Sequence, residues 1–296
     1  MGCASGAVRS SGWCTCGVDW AWVGPPIDVR ALFPVERLEL LSVLRGLDAA
    51  DWPRTTGCPG WSVHDIAAHL VHDYLRRLSS TRDRNASAGP APGETLPAFL
   101  ARVNQEFVDV ARDWSPAVLM DLLEHLGPQL DRTWADLDLS AVGDVDVWWA
   151  DPGVPAPVWL DVAREYSEVW VHQQQIRDAV GRPGADDPAL LGPVIDTFMR
   201  GLPNALRVHP VAAGATVRVD VQGSGGGTWV ATRAPSRWRL EAPNGETADA
   251  FVQVSPDTLW RLASRGLTPD EARERATVAG DESLASAALQ LLSIIR

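Results

Sequence analysis

Lysine is missing from this chain of 296 residues; all 26 basic residues are arginine. The bias reads mainly as the codon preference of a GC-rich genome, with one or two arginines at most serving as bidentate anion sites. Positive charge is scarce overall. The formal net charge is −12, which argues against nucleic acid as a partner, because phosphate binding needs clustered cations. No run of eighteen or more apolar residues occurs, so no membrane span is expected. Cysteine is sparse and badly placed for a disulfide framework. Cys3, Cys14 and Cys16 crowd one end and Cys58 stands alone; a lone C-x-C is weak evidence for a metal site. Cys58 reads as a small turn residue, with no neighbour marking it as activated. The chain is therefore expected to be cytoplasmic and reduced. The first residues lack a basic segment followed by an apolar one and a small-residue cleavage site, so no signal peptide is expected. Residues 1–27 carry Gly, Ser, Cys and Trp without helical periodicity and read as a disordered extension. There is no internal repeat.

What remains is ordinary globular material. The chain is 46% hydrophobic and 22% charged, and is long enough for two domains. Pro34 to Gly46 reads as a helix with proline in its first turn. Trp52 to Gly60 is a loop by composition. Ser62 and Asp65 form an S-x-x-D capping box that starts a second helix, with Val63, Ile66, Ala67, Leu70, Tyr74 and Leu78 as its apolar stripe. A polar connection, residues 82–93, leads to a third helix over about Leu96 to Trp114. Ser115-Pro116 opens a shorter one. Residues 136–157 look irregular. Val158 to Val180 is a long helix that stops at Gly181-Arg-Pro-Gly184. After a helix over Ala189 to Leu202 the period changes from 3.6 to two. Short strands are expected over 216–222, 228–233, 237–241 and 250–254, then helices over Pro256 to Ser264 and Glu282 to Ile295. Helices first and strands afterwards predict a helical bundle over 28–185 and a small α+β domain over 186–296.

The candidate chemistry lies on two of these helices. Glu168 and His172 are four apart, so they share one helix face. His69, on the capped second helix, would supply a third donor. Three protein ligands leave a coordination position open, as catalytic metal sites do. By helical angle all three fall beside the apolar stripes, on a polar flank. That placement suits a metal in a solvent-reached seam, and it equally suits exposed polar residues. Glu165 competes for the carboxylate role and His72 for an imidazole role; His64 and His125 read as incidental.

Cys58-Pro-Gly-Trp-Ser-Val-His-Asp-Ile-Ala-Ala-His-Leu70 resembles the first signature of the mycothiol-dependent maleylpyruvate isomerase family, which belongs to the DinB-like metal-binding four-helix bundles. Glu168-Val-Trp-Val-His172, followed by Asp178-Ala-Val-Gly181, resembles its second. Asp51-Trp52 and Gly280-Asp281 before a closing helix fit as well. The resemblance spans roughly residues 30–296. It implies a DinB-like bundle followed by a sterol-carrier-like α+β domain, with His69, Glu168 and His172 as metal ligands. It also implies a divalent ion, zinc first with nickel or iron as alternatives, and mycothiol as cosubstrate. The thiol, deprotonated at the metal, would attack a small electrophile and give either an adduct or an isomerised double bond. One departure stands out. Many relatives carry aspartate three residues after the second histidine, where this chain has Gln175. An amide can still hydrogen-bond an imidazole N–H, but raises its basicity less. Two other functions stay open on the residues alone: a metal enzyme without a thiol, such as a hydrolase or biosynthetic tailoring enzyme, and a non-catalytic binder of small ligands. Catalytic acid and base, substrate and oligomeric state are not readable.

Overall fold

The computed structural model describes residues 19–85, 89–243, 245 and 247–292. Cys3, Cys14, Cys16 and residues 293–296 lie outside the described residues; the closing helix, expected to run to Ile295, ends at Ala288. Ten α-helices and seven strands are formed among those described. The helical part comprises α1 (Phe33–Arg45), α2 (Val63–Arg77), α3 (Leu96–Ala111), α4 (Pro116–Ala135) and, after a hairpin of β1 (Val142–Asp146) and β2 (Pro155–Pro157), α5 (Val158–Val180). It is followed by α6 (Pro188–Met199), α7 (Leu202–Ala205), β3 (Thr216–Val221), β4 (Gly227–Arg233), β5 (Trp238–Glu241) and β6 (Ala250–Val254). The chain then forms α8 (Pro256–Ala263), α9 (Pro269–Glu274), β7 (Thr277–Gly280) and α10 (Glu282–Ala288). A helical region thus precedes an α+β region, as the change of period predicts.

Local sequence explains the element ends. Ser62 Oγ accepts from the Asp65 amide while Asp65 Oδ2 accepts from the Ser62 amide at 2.9 Å, closing the expected capping box. α5 begins after Pro157 and ends at Gly181, whose φ of +65° is the left-handed state glycine adopts at least cost. α2 packs against α3, α4 and α5, and α1 against α4 and α5. In the sheet, of order β5-β4-β3-β6-β7, only β3 and β6 run parallel. Val217, Val219 and Val221 alternate inward along β3, and α6, α8 and α10 pack over the sheet region. Buried side chains of both regions join in one core. Tyr166 Oη donates to Leu190 O at 3.1 Å, and Trp170 meets Trp260 edge-on at 5.8 Å.

Three expectations need correction. The extension does not reach residue 27. Trp20, Trp22 and Val23 are buried against Trp149, Trp159 and Leu160, and Arg200 Nη1 donates to Val23 O at 2.6 Å. Bulky indoles gave this stretch a core to join despite its lack of periodicity. The fourth helix is not short. α4 runs through Pro128, and Gly127 there leaves room for the Arg37 side chain, which is ion-paired with Asp131. Residues 136–157 are not wholly irregular, because they hold the β1–β2 hairpin.

Candidate metal centre

The capping box sets the start of α2, and two turns later His69 faces α5. On α5, Glu168 and His172 occupy one face, as their spacing requires. Glu168 Oε1 lies 3.1 Å from His172 Nε2 and 3.3 Å from His69 Nε2. The two imidazole rings are 4.8 Å apart and nearly perpendicular. Donor atoms of the three residues all fall within 4.8 Å of one another. The solvent-reached seam expected from helical angles is not what forms: His69 is 1% exposed, Glu168 5% and His172 4%. α5 is buried on almost every side, so its polar flank faces α2 instead of water.

A buried carboxylate against two imidazoles is strongly coupled. Burial pushes the Glu168 carboxyl up, but His172, and then His69, hold it below the usual carboxylate range. Burial pulls His172 down, yet the Glu168 carboxylate and, behind it, Cys58 raise it well above an ordinary imidazole. Taken without a metal, the cluster is an ion pair in a poorly solvated place. Glu168 Oε2 and His69 Nδ1 are buried there with no hydrogen-bond partner, which is costly. The donor set fits a divalent ion. Ligand atoms of a tetrahedral site with bonds of about 2.1 Å sit roughly 3.4 Å apart, close to the 3.1 and 3.3 Å found for the two carboxylate–imidazole pairs.

The surroundings refine the set. Gln175 Oε1 accepts from His172 Nδ1–H at 2.8 Å, which turns Nε2 toward Glu168 Oε1 and the rest of the cluster. The amide at 175 thus makes the imidazole contact expected of it. Cys58 Sγ lies 3.5 Å from the same oxygen. Cys58 keeps the turn position expected of it, and the loop before α2 also folds back over α5 to give it this contact. A separation of 117 residues hid the contact. The Trp61 ring sits 5.0 Å from that of His69, with its Nε1–H bonded to Gln105 Oε1 at 3.0 Å.

Sequence reasoning also missed Asp73, whose Oδ2 is 3.4 Å from His69 Nε2. Burial, with some help from Glu165 and Glu168, raises its carboxyl against the pull of His69. The H-x-x-x-D spacing on α2 was the available signal. Glu165 is not a rival ligand; it pairs with Arg77 at 2.7 Å and Arg164 at 2.8 Å. His72 stacks on Phe107 at 4.6 Å, and burial, then Arg76, lowers it to about 4. His64 Nε2 is bonded to Trp114 O, and His125 is exposed.

Residues 34–177 match the family model described as the mycothiol maleylpyruvate isomerase N-terminal domain. Two solved structures are similar in fold over most of the chain. They are the crystal structures of the mycothiol-dependent maleylpyruvate isomerase and of a histidine-to-alanine mutant of it. Each is 16% identical, covers 84% of this chain and 91% of its own, and has a TM-score of 0.51. A ubiquinone synthesis protein, UbiJ-SCP2, aligns with 27% of this chain and 69% of its own at 20% identity, with a TM-score of 0.22 too low to bear on the fold. No curated protein matches by sequence. No helix among the described residues is long and apolar enough to cross a membrane.

Proposed function

The chain belongs, through residues 34–177, to the mycothiol maleylpyruvate isomerase family, and on that premise we propose that it is a metal-dependent isomerase or S-transferase acting with a low-molecular-weight thiol. The observation that carries this reading is the convergence of His69, Glu168 and His172 from two helices onto one point. These three residues would hold a divalent ion, zinc first by the chemistry of two imidazoles and a carboxylate. Such an ion supplies the charge that turns a bound thiol into the thiolate, the form that attacks carbon.

The chain's own residues do the rest. Gln175 orients the His172 ring through its Nδ1–H. Trp61 packs over His69 and restricts water on that side. Asp73 stands beside His69 as a second carboxylate, at the edge of the cluster. The thiol of the cosubstrate, in this family mycothiol, would then add to a small electrophile. Retention of the adduct makes the enzyme a transferase, and loss of the thiol after bond rotation makes it an isomerase.

Metal analysis of the purified protein, followed by thiol consumption with and without mycothiol, tests the reading. About one divalent ion per chain and thiol-dependent turnover of an electrophile support it. Turnover with no thiol would transfer the site to thiol-independent metal chemistry. Protein that neither holds metal nor loses activity with a chelator would remove the proposal.

A further inference from the structure

A second concavity lies apart from the His69–Glu168–His172 cluster. A cavity of about 190 Å³ opens between the turn at Ala21–Val23, the segment after β1, α7 and the turn joining β4 to β5. Trp22 and Trp238 line it together with Arg207, Arg233, Arg237 and Asp151. It lies toward the beginning of α5. Trp22 packs in one cluster with Trp159, and Trp159 precedes Glu168 by nine residues, roughly 14 Å of helix.

The charge is the informative part. Three guanidiniums meet one carboxylate, a local surplus of two positive charges on a chain whose net charge is −12. Their donors are largely unspent. Arg207 makes no side-chain hydrogen bond or ion pair among the described residues. Arg233 gives one N–H to Ala234 O at 2.7 Å. Arg237 Nη1 stands 3.7 Å from Asp151 Oδ2, beyond hydrogen-bond reach, while its guanidinium rests 4.8 Å over the Trp22 ring. Each guanidinium offers five N–H donors in a fork that matches a carboxylate or phosphate. The two indoles, buried at 6% and 2% exposure, border the cavity with apolar surface; the Trp22 ring is itself stacked on Trp20 at 5.6 Å and lies under Arg237, so it is held rigidly in place. The volume falls below the roughly 300–1,000 Å³ of drug-sized sites, so the occupant must be small.

We propose that this cavity is a ligand site, distinct from the metal centre, for a small organic dianion on a planar apolar body, such as an aromatic dicarboxylate. The guanidiniums neutralise the two anionic groups, and the apolar borders of Trp22 and Trp238 flank the ring. The ligand would bridge the amino-terminal turn and the sheet region, since Trp22 comes from one and Arg233 and Trp238 from the other.

Calorimetric titration of the metal-loaded full chain with phthalate tests this. Benzoate serves as the one-carboxylate control and inorganic phosphate as the anion without a ring. Saturable 1:1 binding of phthalate is expected, tighter than either control and weakened by salt. Arg207→Ala, which alters an exposed side chain, should weaken it by at least about tenfold, as loss of one charge-assisted contact implies. Arg237→Ala should do the same, and neither should change the metal content. Chelation of the metal should leave phthalate binding intact. Absence of saturable binding, or equal binding by the Arg207→Ala variant, overturns the proposal. Equal binding of phosphate and phthalate removes the planar body. Loss of binding on chelation places the ligand at the metal centre and overturns the second site.

Discussion

Glu36→Gln should make the folded chain more stable at alkaline pH and change it little in acid. Glu36 is 1% exposed on α1, and its Oε2 is buried without a partner. Gln173 Nε2 donates to its Oε1 at 2.7 Å. Burial pushes this carboxyl from an ordinary 4.5 up to about 8, against the weaker pull of Gln173, Arg37 and Arg177. The folded chain therefore keeps a proton that the unfolded chain releases. Stability from this group is full below about pH 4.5 and is lost as pH rises toward about 8. The slope is about 1.4 kcal/mol per pH unit, and across the whole shift the loss approaches roughly 5 kcal/mol. Glutamine keeps the acceptor that Gln173 uses and has no charge to gain. Chemical denaturation of both proteins, at intervals across this pH range and with a chelator to hold metal binding constant, measures the difference. It should be near zero at the acid end and grow to several kcal/mol in favour of the variant. A difference that does not change with pH would refute the reasoning, because Glu36 would then ionise inside the fold as freely as outside it.

Four further outcomes follow from the same contacts. Alanine at His69, Glu168 or His172 should bring metal stoichiometry, measured by elemental analysis, well below one per chain. Because all three are buried, each change should also alter metal-free stability by about 1–3 kcal/mol, where an exposed site would show nothing. Gln175→Ala removes the acceptor for His172 Nδ1–H and should weaken metal affinity about 10–100-fold in competition with a chromophoric chelator. Trp22→Ala, or a chain shortened to begin at Asp28, should lower the melting temperature, with a cost of about 3–5 kcal/mol for the indole; an unchanged melting curve would contradict its burial. We place the domain boundary near residue 186, so protease should nick the exposed stretch around Arg182–Gly184. The fragments should nevertheless co-elute, since their cores are continuous.

The contrast between α2 and residues 19–27 shows what a sequence makes legible. A capping box is a local device: Ser62 and Asp65 satisfy each other within one turn, so the start of α2 is readable from four letters. The bounds of α5 are readable for the same reason, from Pro157 and Gly181. Trp20 and Trp22 gain their place from residues more than 120 positions away, and no periodicity announces that. The β1–β2 hairpin is hidden likewise. β1 alternates poorly between buried and exposed sites and β2 holds two prolines, so neither carries a strand's signature. At the candidate site, the i, i+4 spacing placed Glu168 and His172 on one face, the capped second helix offered His69 as a third donor, and the resemblance pointed to the same three. The burial of all three was misjudged because a helical wheel knows one partner surface, whereas α5 has several. Cys58 escaped because its contact is with Gln175 on α5, far along the chain, whereas Asp73 was legible from its i, i+4 spacing after His69 on α2.

α5 is the element on which both regions converge, and its three consecutive glutamines show how. Successive residues on a helix point about 100° apart, so Gln173, Gln174 and Gln175 face three directions. Gln173 Nε2 bonds Glu36 on α1, while its Oε1 accepts from Arg177 Nε at 2.9 Å. Gln174 Oε1 accepts from the Ala185 amide at 3.2 Å and fixes the link toward α6. Gln175 holds His172 and meets Cys58. An amide both donates and accepts without carrying charge, which suits a helix too buried to add carboxylates at low cost. A carboxylate at position 175 would add a third acidic group around the two imidazoles, where Glu168 already meets His172 and Asp73 meets His69. The glutamine keeps the His172 imidazole oriented toward Glu168 without adding that charge.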